Sequence, residues 1–187
     1  YNYVYAYGGN IVNAEKTDTA IDSAEGKAGM EMVRKLLTVG TPQAVVAESG
    51  TDSLFQSGKV AMITQGSWMI NAFYTAENHA DYAWAQIPYC DRNGDGKCQK
   101  DERWTCYNGL GWAAAANTAN PDAAASLIEY LCSKAAQIKQ AQLGVTMAAY
   151  KGCSDAFVGA FEGMDISPFL TVEESGTLIK HPASRYT

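Results

Sequence analysis

Residues 91–102 read D-R-N-G-D-G-K-C-Q-K-D-E and place oxygen-bearing residues at the spacing that a bound calcium ion requires. In an EF-hand loop, side-chain oxygens at positions 1, 3 and 5, a carbonyl at 7, an oxygen at 9 and a glutamate at 12 surround the cation, while a glycine at 6 permits the sharp turn. The predicted ligands, in that order, are Asp91, Asn93, Asp95, Lys97 through its carbonyl, Gln99 directly or through water, and Glu102.

The alternative interpretation of this loop is an acidic turn that is simply solvated. Agreement at six positions favours calcium. A regulatory calcium switch would use paired loops with amphipathic helices, whereas the segments beside this single loop lack the helical pattern. We therefore predict one structural calcium ion, which would make the loop rigid and hold its two flanking segments together.

The chain has five cysteines, and three of them surround the predicted calcium loop. No C-x-x-C pair occurs, which argues against zinc-ribbon and thioredoxin-like sites. Cysteines clustered around a loop, together with a calcium loop, favour an exported protein with disulfides over a cytosolic protein with buried thiols. The first predicted disulfide joins two of Cys90, Cys98 and Cys106, the second joins Cys132 and Cys153, and at least one thiol stays unpaired.

Composition limits the class of protein and the kinds of partner. With 187 residues, 47% hydrophobic and 18% charged, the chain is globular and forms one domain or two small ones. The net charge of −6, with no basic cluster, makes nucleic acid and anionic membranes poor partners. No apolar run approaches the length of a membrane span, and the N-terminal residues do not resemble a signal peptide.

Residues for catalysis are few. The only histidines, His79 and His181, lie in polar segments without H-E-x-x-H spacing, and no G-x-S-x-G or Walker sequence is present. Two acidic pairs, Asp101-Glu102 and Glu173-Glu174, could in principle hydrolyse a glycoside. Adjacent acids in polar segments are far more often a solvated face.

Helical and extended patterns alternate along the chain, which indicates the α/β class. Residues 1–21 are predicted as short extended segments, and strands are predicted at 59–64, 82–89 and 112–116. Helices are predicted at 22–39, 52–57, 66–74, 120–132, 133–144 and 154–161. The helix at 120 has an Asn cap followed by Pro121, and its predicted inner stripe is Ala124, Leu127, Ile128 and Leu131.

Aromatic residues beside glycines are the strongest indication of a ligand. Trp68 follows Gly66-Ser67, while Tyr107 and Trp112 flank Gly109. A ring held beside a glycine turn can present a flat apolar face, and the C–H face of a sugar stacks on such a ring. For any single ring, the alternative of a core position is the more common one.

Residues 54–68, L-F-Q-S-G-K-V-A-M-I-T-Q-G-S-W, resemble the extracellular solute-binding proteins of ABC importers, in the sugar-binding group that includes maltodextrin-binding proteins. The resemblance rests on the pattern F-x-x-G-K-x-A-M followed by G-x-W. Further matches occur in family order at G-G-N-I-V (8–12), S-A-E-G-K-A-G-M (23–30), G-L-G-W-A (109–113) and N-P-D-A-A-A-S-L-I-E-Y-L-C-S (120–133). The resemblance as a whole covers about residues 5–150.

The resemblance implies two α/β lobes in the periplasmic-binding-protein-like type II fold, of which this chain holds most of one lobe and a fragment of the other. Residues 1–86 would belong to the C-terminal lobe. Residues 87–148 would return to the N-terminal lobe, with the calcium loop 91–102 as an insertion, and residues 149–187 would continue the C-terminal lobe.

The resemblance also implies a function and a site. The protein would be the non-enzymatic sugar- or oligosaccharide-binding component of an ABC importer, extracellular or periplasmic, tethered to the membrane as a lipoprotein and delivering its ligand to the permease. The implied sugar-binding residues are Ser67, Trp68, Tyr107, Asn108, Gly109, Leu110, Gly111 and Trp112. Two alternatives remain open: a carbohydrate-active enzyme domain and a calcium-dependent protein-interaction module.

Overall fold

The structure, a computed structural model, describes residues 1–183, and of these the side chains of Glu173 and Glu174 are outside the description. The carboxylates of that acidic pair therefore lie outside what the structure describes. The chain forms two compact units. Unit 1 comprises Tyr1–Thr64, Ala85–Asn108 and the residues from Thr171 onward, and unit 2 comprises Gln65–Trp84 and Gly109–Leu170. The assignment of segments to the two lobes of a binding protein stays a prediction.

Helices dominate the described residues, with a single pair of short strands. Within residues 1–183 no helix is both long enough and apolar enough to span a bilayer. The helices are α1 (Asn2–Ala6), α2 (Ala24–Val39), α3 (Gln43–Ser49), α4 (Thr51–Gln56), α5 (Ile70–Tyr74), α6 (Pro121–Cys132), α7 (Lys134–Gln142), α8 (Asp155–Val158) and α9 (Pro168–Ser175). Short 3-10 turns cover Ser67–Met69, His79–Asp81 and Lys100–Glu102, and the strands are β1 (Trp104–Cys106) and β2 (Thr177–Ile179).

Unit 1 is built around the contact of α1 with α2. The Ser23 hydroxyl caps α2 by accepting a hydrogen bond from the Gly26 N–H at 3.0 Å. The buried residues of α2 are Gly26 and Gly29, and the backbone of α1 lies directly against Gly29. A Cβ atom on Gly29 would lie 2.6 Å from the Val4 Cα atom, so only glycine permits this distance between the helices.

Replacement of Gly29 by alanine tests this contact. In an exposed helix, glycine-to-alanine would stabilise by about 1 kcal/mol through helix propensity. Here the added methyl group collides with backbone, so we expect Gly29→Ala to lower the free energy of unfolding by about 1–2 kcal/mol. Urea denaturation measures the effect, and Lys35→Ala, on the exposed side of α2, is the control. A stabilised Gly29→Ala protein would contradict the packing.

The core of unit 2 is a cluster of apolar side chains from α5, α7, α8 and the segment that follows α8. Phe157 and Phe161 pack edge to face with their ring centroids 5.0 Å apart, and Phe161 also contacts Tyr74. Trp84 packs on Phe169 at the periphery of the same cluster. The buried members are Ile70, Ala141, Ala148, Cys153, Phe157, Phe161, Met164 and Ile166.

Each of the six predicted helices has a helix at its predicted position, although α8 is shorter than predicted. The inner stripe predicted for α6 is less buried than expected. Leu127, predicted on the inner stripe of α6, is 57% exposed. The helix starting at Asn2 corrects the prediction that residues 1–21 are entirely extended.

The predicted strands at 59–64, 82–89 and 112–116 are wrong as regular strands, because none belongs to a described ladder. A strand satisfies its N–H and C=O groups only through a neighbour. Among residues 1–183 the one ladder is the parallel pair β1–β2, with Cys106 opposite Ile179. The apolar sequences at 59–64 and 112–116 therefore lie in irregular backbone, and Met62 is 87% exposed.

Candidate functional site

The predicted calcium loop lies in unit 1 and is folded by hydrogen bonds within itself. The Asp91 carboxylate accepts from the backbone N–H groups of Gly94 at 2.8 Å, Asp95 at 3.2 Å and Gly96 at 2.9 Å. Gly96, at φ 72°, adopts the left-handed conformation that the sharp turn requires. The Asp95 carboxylate in turn accepts from the Lys97 N–H at 2.8 Å.

Glu102 closes the loop from inside. It is only 2% exposed, and its two carboxylate oxygens accept from the backbone N–H groups of Arg92 at 2.9 Å and Gln99 at 3.0 Å. The Arg92 guanidinium lies 3.9 Å from the same carboxylate and also pairs with Asp101. The Cys90 N–H donates to the Glu102 carbonyl at 2.8 Å, which joins the two ends of the loop.

The carboxylates of the loop are directed mainly at backbone N–H groups. The amide groups of Asn93 and Gln99 donate to an Asp95 oxygen at 3.2 Å and 3.3 Å. Among the side chains that the structure describes, which leave out Glu173 and Glu174, no three or more of His, Cys, Asp and Glu are gathered closely enough to hold a metal ion. A cation would therefore have to draw Asp91, Asp95 and Glu102 together, and the six calcium ligands stay a prediction.

Arg103, directly after the loop, connects three parts of unit 1. Its Nε donates to the Ile87 carbonyl at 2.9 Å, and its Nη1 donates to the Gln86 side-chain oxygen. Ser175 donates to that same Gln86 oxygen at 2.6 Å, and the Thr177 N–H donates to the Arg103 carbonyl at 2.7 Å. Arg103 thus links the segment before the loop, the exit of the loop and β2.

We expect Arg103→Lys to lower the free energy of unfolding by about 1–2 kcal/mol, although the charge is kept. A lysine has no planar guanidinium to donate to Ile87 and Gln86 at once, and hydrogen bonds to charged groups contribute about 1.5–3 kcal/mol. Chemical denaturation provides the measurement, with Arg34→Lys, which is exposed on α2, as the matched control. If Arg103→Lys and Arg34→Lys had the same free energy of unfolding, the bridging hydrogen bonds of Arg103 would not contribute to stability.

All five cysteines are free thiols, so neither predicted disulfide is present in the structure. Cys98 instead donates to the Ser175 carbonyl at 3.5 Å. Burial raises the pKa of the Cys90 thiol, although a hydrogen bond with Tyr7 acts in the opposite direction. Cys132 is exposed and Cys153 is buried.

The predicted sugar-binding residues are divided between the two units. Tyr107 and Asn108 end a segment of unit 1, and the other six residues belong to unit 2. The rings are accessible to solvent: Trp68 is 61% exposed, Trp112 56% and Tyr107 49%. A Cβ atom added to Gly109 or Gly111 would meet no other atom within 4 Å, and Leu110 is 94% exposed.

Trp68 is held by the glycine two residues before it. A Cβ atom on Gly66 would lie 2.2 Å from the Trp68 ring, so the indole covers the backbone of Gly66. Ser67 and Trp68 form the first turn of the 3-10 segment that leads into α5, whose Ile70 is fully buried. Trp68 is therefore fixed at its base by a helix that buries Ile70 and Phe73, while a large part of the residue remains open to solvent.

A hollow in unit 1 was missed by the sequence analysis. It has a volume of about 240 Å³ and is lined by Tyr5, Gly8, Gly9, Asn10, Arg92, Asp101 and Trp104. The Tyr5 and Trp104 rings stack on each other with centroids 5.2 Å apart. The G-G-N turn was a possible signal, but the pairing of Tyr5 with Trp104 brings together residues that are distant in sequence.

Comparison with known proteins identifies the family of the chain but not its ligand. No curated protein matches the sequence. Residues 3–157 match the family described as "Bacterial extracellular solute-binding protein". That match covers most of the 187 residues and includes both the G-x-W turn and the calcium-like loop. The chain is thus a member of the bacterial extracellular solute-binding protein family.

Proposed function

We propose that this solute-binding protein captures a sugar or oligosaccharide outside the cell and delivers it to an ABC permease. The observation that carries the proposal is the Trp68 indole, which is 61% exposed and rests on Gly66. Solute-binding proteins bind small molecules, and an accessible indole held in place beside a glycine offers such a ligand a flat apolar face for stacking.

The chemistry of the remaining predicted residues suits a neutral polyhydroxylated ligand. A sugar presents C–H groups on one face, which stack on indole and phenol rings, and hydroxyls at its edge. Asn108 offers both an amide donor and a carbonyl acceptor for hydroxyls. The exposed backbone of Gly109 and Gly111 offers further donors and acceptors that no side chain obstructs.

We further propose that residues 91–102 bind one structural calcium ion through Asp91, Asn93, Asp95, Lys97, Gln99 and Glu102. Two features support this proposal besides the sequence pattern. The left-handed Gly96 and the hydrogen bonds from backbone N–H groups to Asp91 already give the chain the sharp turn that such a loop requires. Buried Glu102 already directs its two carboxylate oxygens at the loop backbone, at Arg92 and Gln99, and a bound cation would replace these two N–H partners.

The proposed function is non-enzymatic binding, with the protein extracellular and anchored as a lipoprotein. The rival interpretation as a carbohydrate-active enzyme needs two carboxylates across a ligand. Asp101, which stands beside Glu102 in the first acidic pair, instead pairs with Arg92. Turnover of any glycoside would favour the enzyme, and calcium-dependent capture of a purified protein would favour the interaction module.

A binding screen on the purified protein tests the ligand class. Thermal shift followed by calorimetry would compare neutral mono- and oligosaccharides with amino acids, short peptides and polyamines. We expect binding only among the sugars, because their C–H faces match the exposed rings. Binding of a peptide or a polyamine, with no response to any sugar, would reject the carbohydrate proposal while leaving the family membership unaffected.

A further inference from the structure

A partly exposed cysteine and an exposed histidine lie side by side in unit 1, and neither solute binding nor the calcium loop uses them. Cys106 ends β1, and His181 follows β2 by two residues. Because the strands pair in parallel with Cys106 opposite Ile179, the chain after β2 runs past Cys106. The Tyr107 N–H donates to the Ile179 carbonyl at 2.7 Å and fixes this arrangement. The Cys106 Sγ atom lies 3.7 Å from the His181 Nε2 atom.

We propose that Cys106 is a site of covalent modification by small disulfides, with His181 as the base that assists it. The thiol lies 3.7 Å from two atoms that can accept a hydrogen bond from it, His181 Nε2 and the Asn108 side-chain oxygen. Only the imidazole can take the proton away as the sulfur attacks. The Tyr1 ring packs edge to face on His181 with a centroid distance of 5.4 Å and limits its orientation.

The reaction is a thiol–disulfide exchange. The Cys106 sulfur attacks one sulfur of the small disulfide, a new S–S bond forms to Cys106, and the original S–S bond breaks. The departing thiolate receives the proton that Cys106 gave to His181, so the products are a mixed disulfide and one free small thiol. The small disulfide is the only oxidant needed. Disulfides persist in the oxidising surroundings of exported proteins, which is where this family acts.

The other four thiols are less suited to this reaction. Cys153 is 6% exposed, and the Cys98 thiol donates to backbone carbonyls. Burial raises the pKa of Cys90, which leaves less of it as the reactive thiolate. Cys132 is exposed on α6 and, among the hydrogen bonds described for residues 1–183, its thiol has no imidazole partner. Cys132 is therefore the matched internal control.

The experiment treats the intact, fully reduced protein with a neutral dipyridyl disulfide and follows each cysteine by peptide mass mapping over time. We expect Cys106 to be modified roughly tenfold or more faster than Cys132, since an adjacent base assists the attack. In His181→Ala, the Cys106 rate should fall to about that of Cys132, while the Cys132 rate stays the same.

Two results would overturn the proposal. One is a wild-type protein in which Cys106 reacts no faster than Cys132, which needs no variant and so cannot be confused with misfolding. The other is a folded His181→Ala protein, verified by its circular dichroism, in which Cys106 keeps its fast rate. Either result is independent of sugar binding, so the proposed function would stand or fall separately.

Discussion

Saturating calcium should stabilise this protein by about 2.7 kcal/mol when the free ion is at 100 times its dissociation constant. The stabilisation arises because the cation binds the folded loop and not the unfolded chain. Without calcium, the Asp91, Asp95 and Glu102 carboxylates lie in one short loop and their negative charges repel one another. With calcium, the charges are neutralised and the loop ends at Cys90 and Glu102 are held together more firmly.

The measurement is urea denaturation with excess calcium and with a chelator. Asp95→Asn removes one ligand charge at an exposed position but keeps a ligand oxygen, so we expect it to keep the fold and to lose part of the calcium increment. Glu48→Gln, exposed on α3 in the same unit, should keep the whole increment. Glu102→Gln should abolish the calcium increment. This variant also leaves a buried backbone N–H group without its acceptor, so the stability of the variant without calcium must be compared separately.

The outcome that would contradict the calcium proposal is an identical denaturation curve with calcium and with chelator. Magnesium is a useful second cation, because it demands a tighter octahedral shell and should stabilise this oxygen-rich loop less. Equal stabilisation by both ions in wild type and in Asp95→Asn would indicate general charge screening rather than a site.

Trp68→Ala should weaken sugar binding by about 10- to 100-fold, which corresponds to roughly 1.4–2.7 kcal/mol. The indole supplies the stacking face of the proposed site, and alanine leaves only hydrogen bonds to the ligand. Since the ring is 61% exposed, its loss should change the melting temperature little. Isothermal titration calorimetry with the best sugar from the screen gives the affinity.

Three variants sharpen this test. Tyr130→Ala removes another exposed ring of unit 2, on α6, and should leave affinity unchanged. Trp68→Phe keeps a smaller stacking face, so its affinity for the sugar should fall less than that of Trp68→Ala. Gly66→Ala keeps the indole but displaces it, because the added Cβ would occupy the position of the ring, and we expect it to weaken binding as well. Undiminished affinity in Trp68→Ala would exclude the stacking role.

Local sequence was enough to predict those features whose partners lie within one turn or one loop. The start of α2 was predicted at 22, although the sequence left Asp22 and Ser23 both open as the cap that the structure assigns to Ser23. Pro121 starts α6, and neither effect needs a tertiary contact. The bend of residues 91–102 likewise follows from Asp91 and Gly96, which contact neighbours inside the same loop. The motif around Trp68 sufficed to predict the family of the protein, although the family match does not identify a ligand.

Tertiary structure alone decided the features that join distant segments. The strand predictions failed at 59–64, 82–89 and 112–116 because periodicity reports which residues could form a strand, whereas a ladder exists only where a neighbour accepts its hydrogen bonds. Arg103 meets Ser175, and Cys106 meets His181, only because β1 and β2 pair in parallel although they are distant in the chain. Residue type determined what each of these side chains can do, and the folded chain determined which partner it meets.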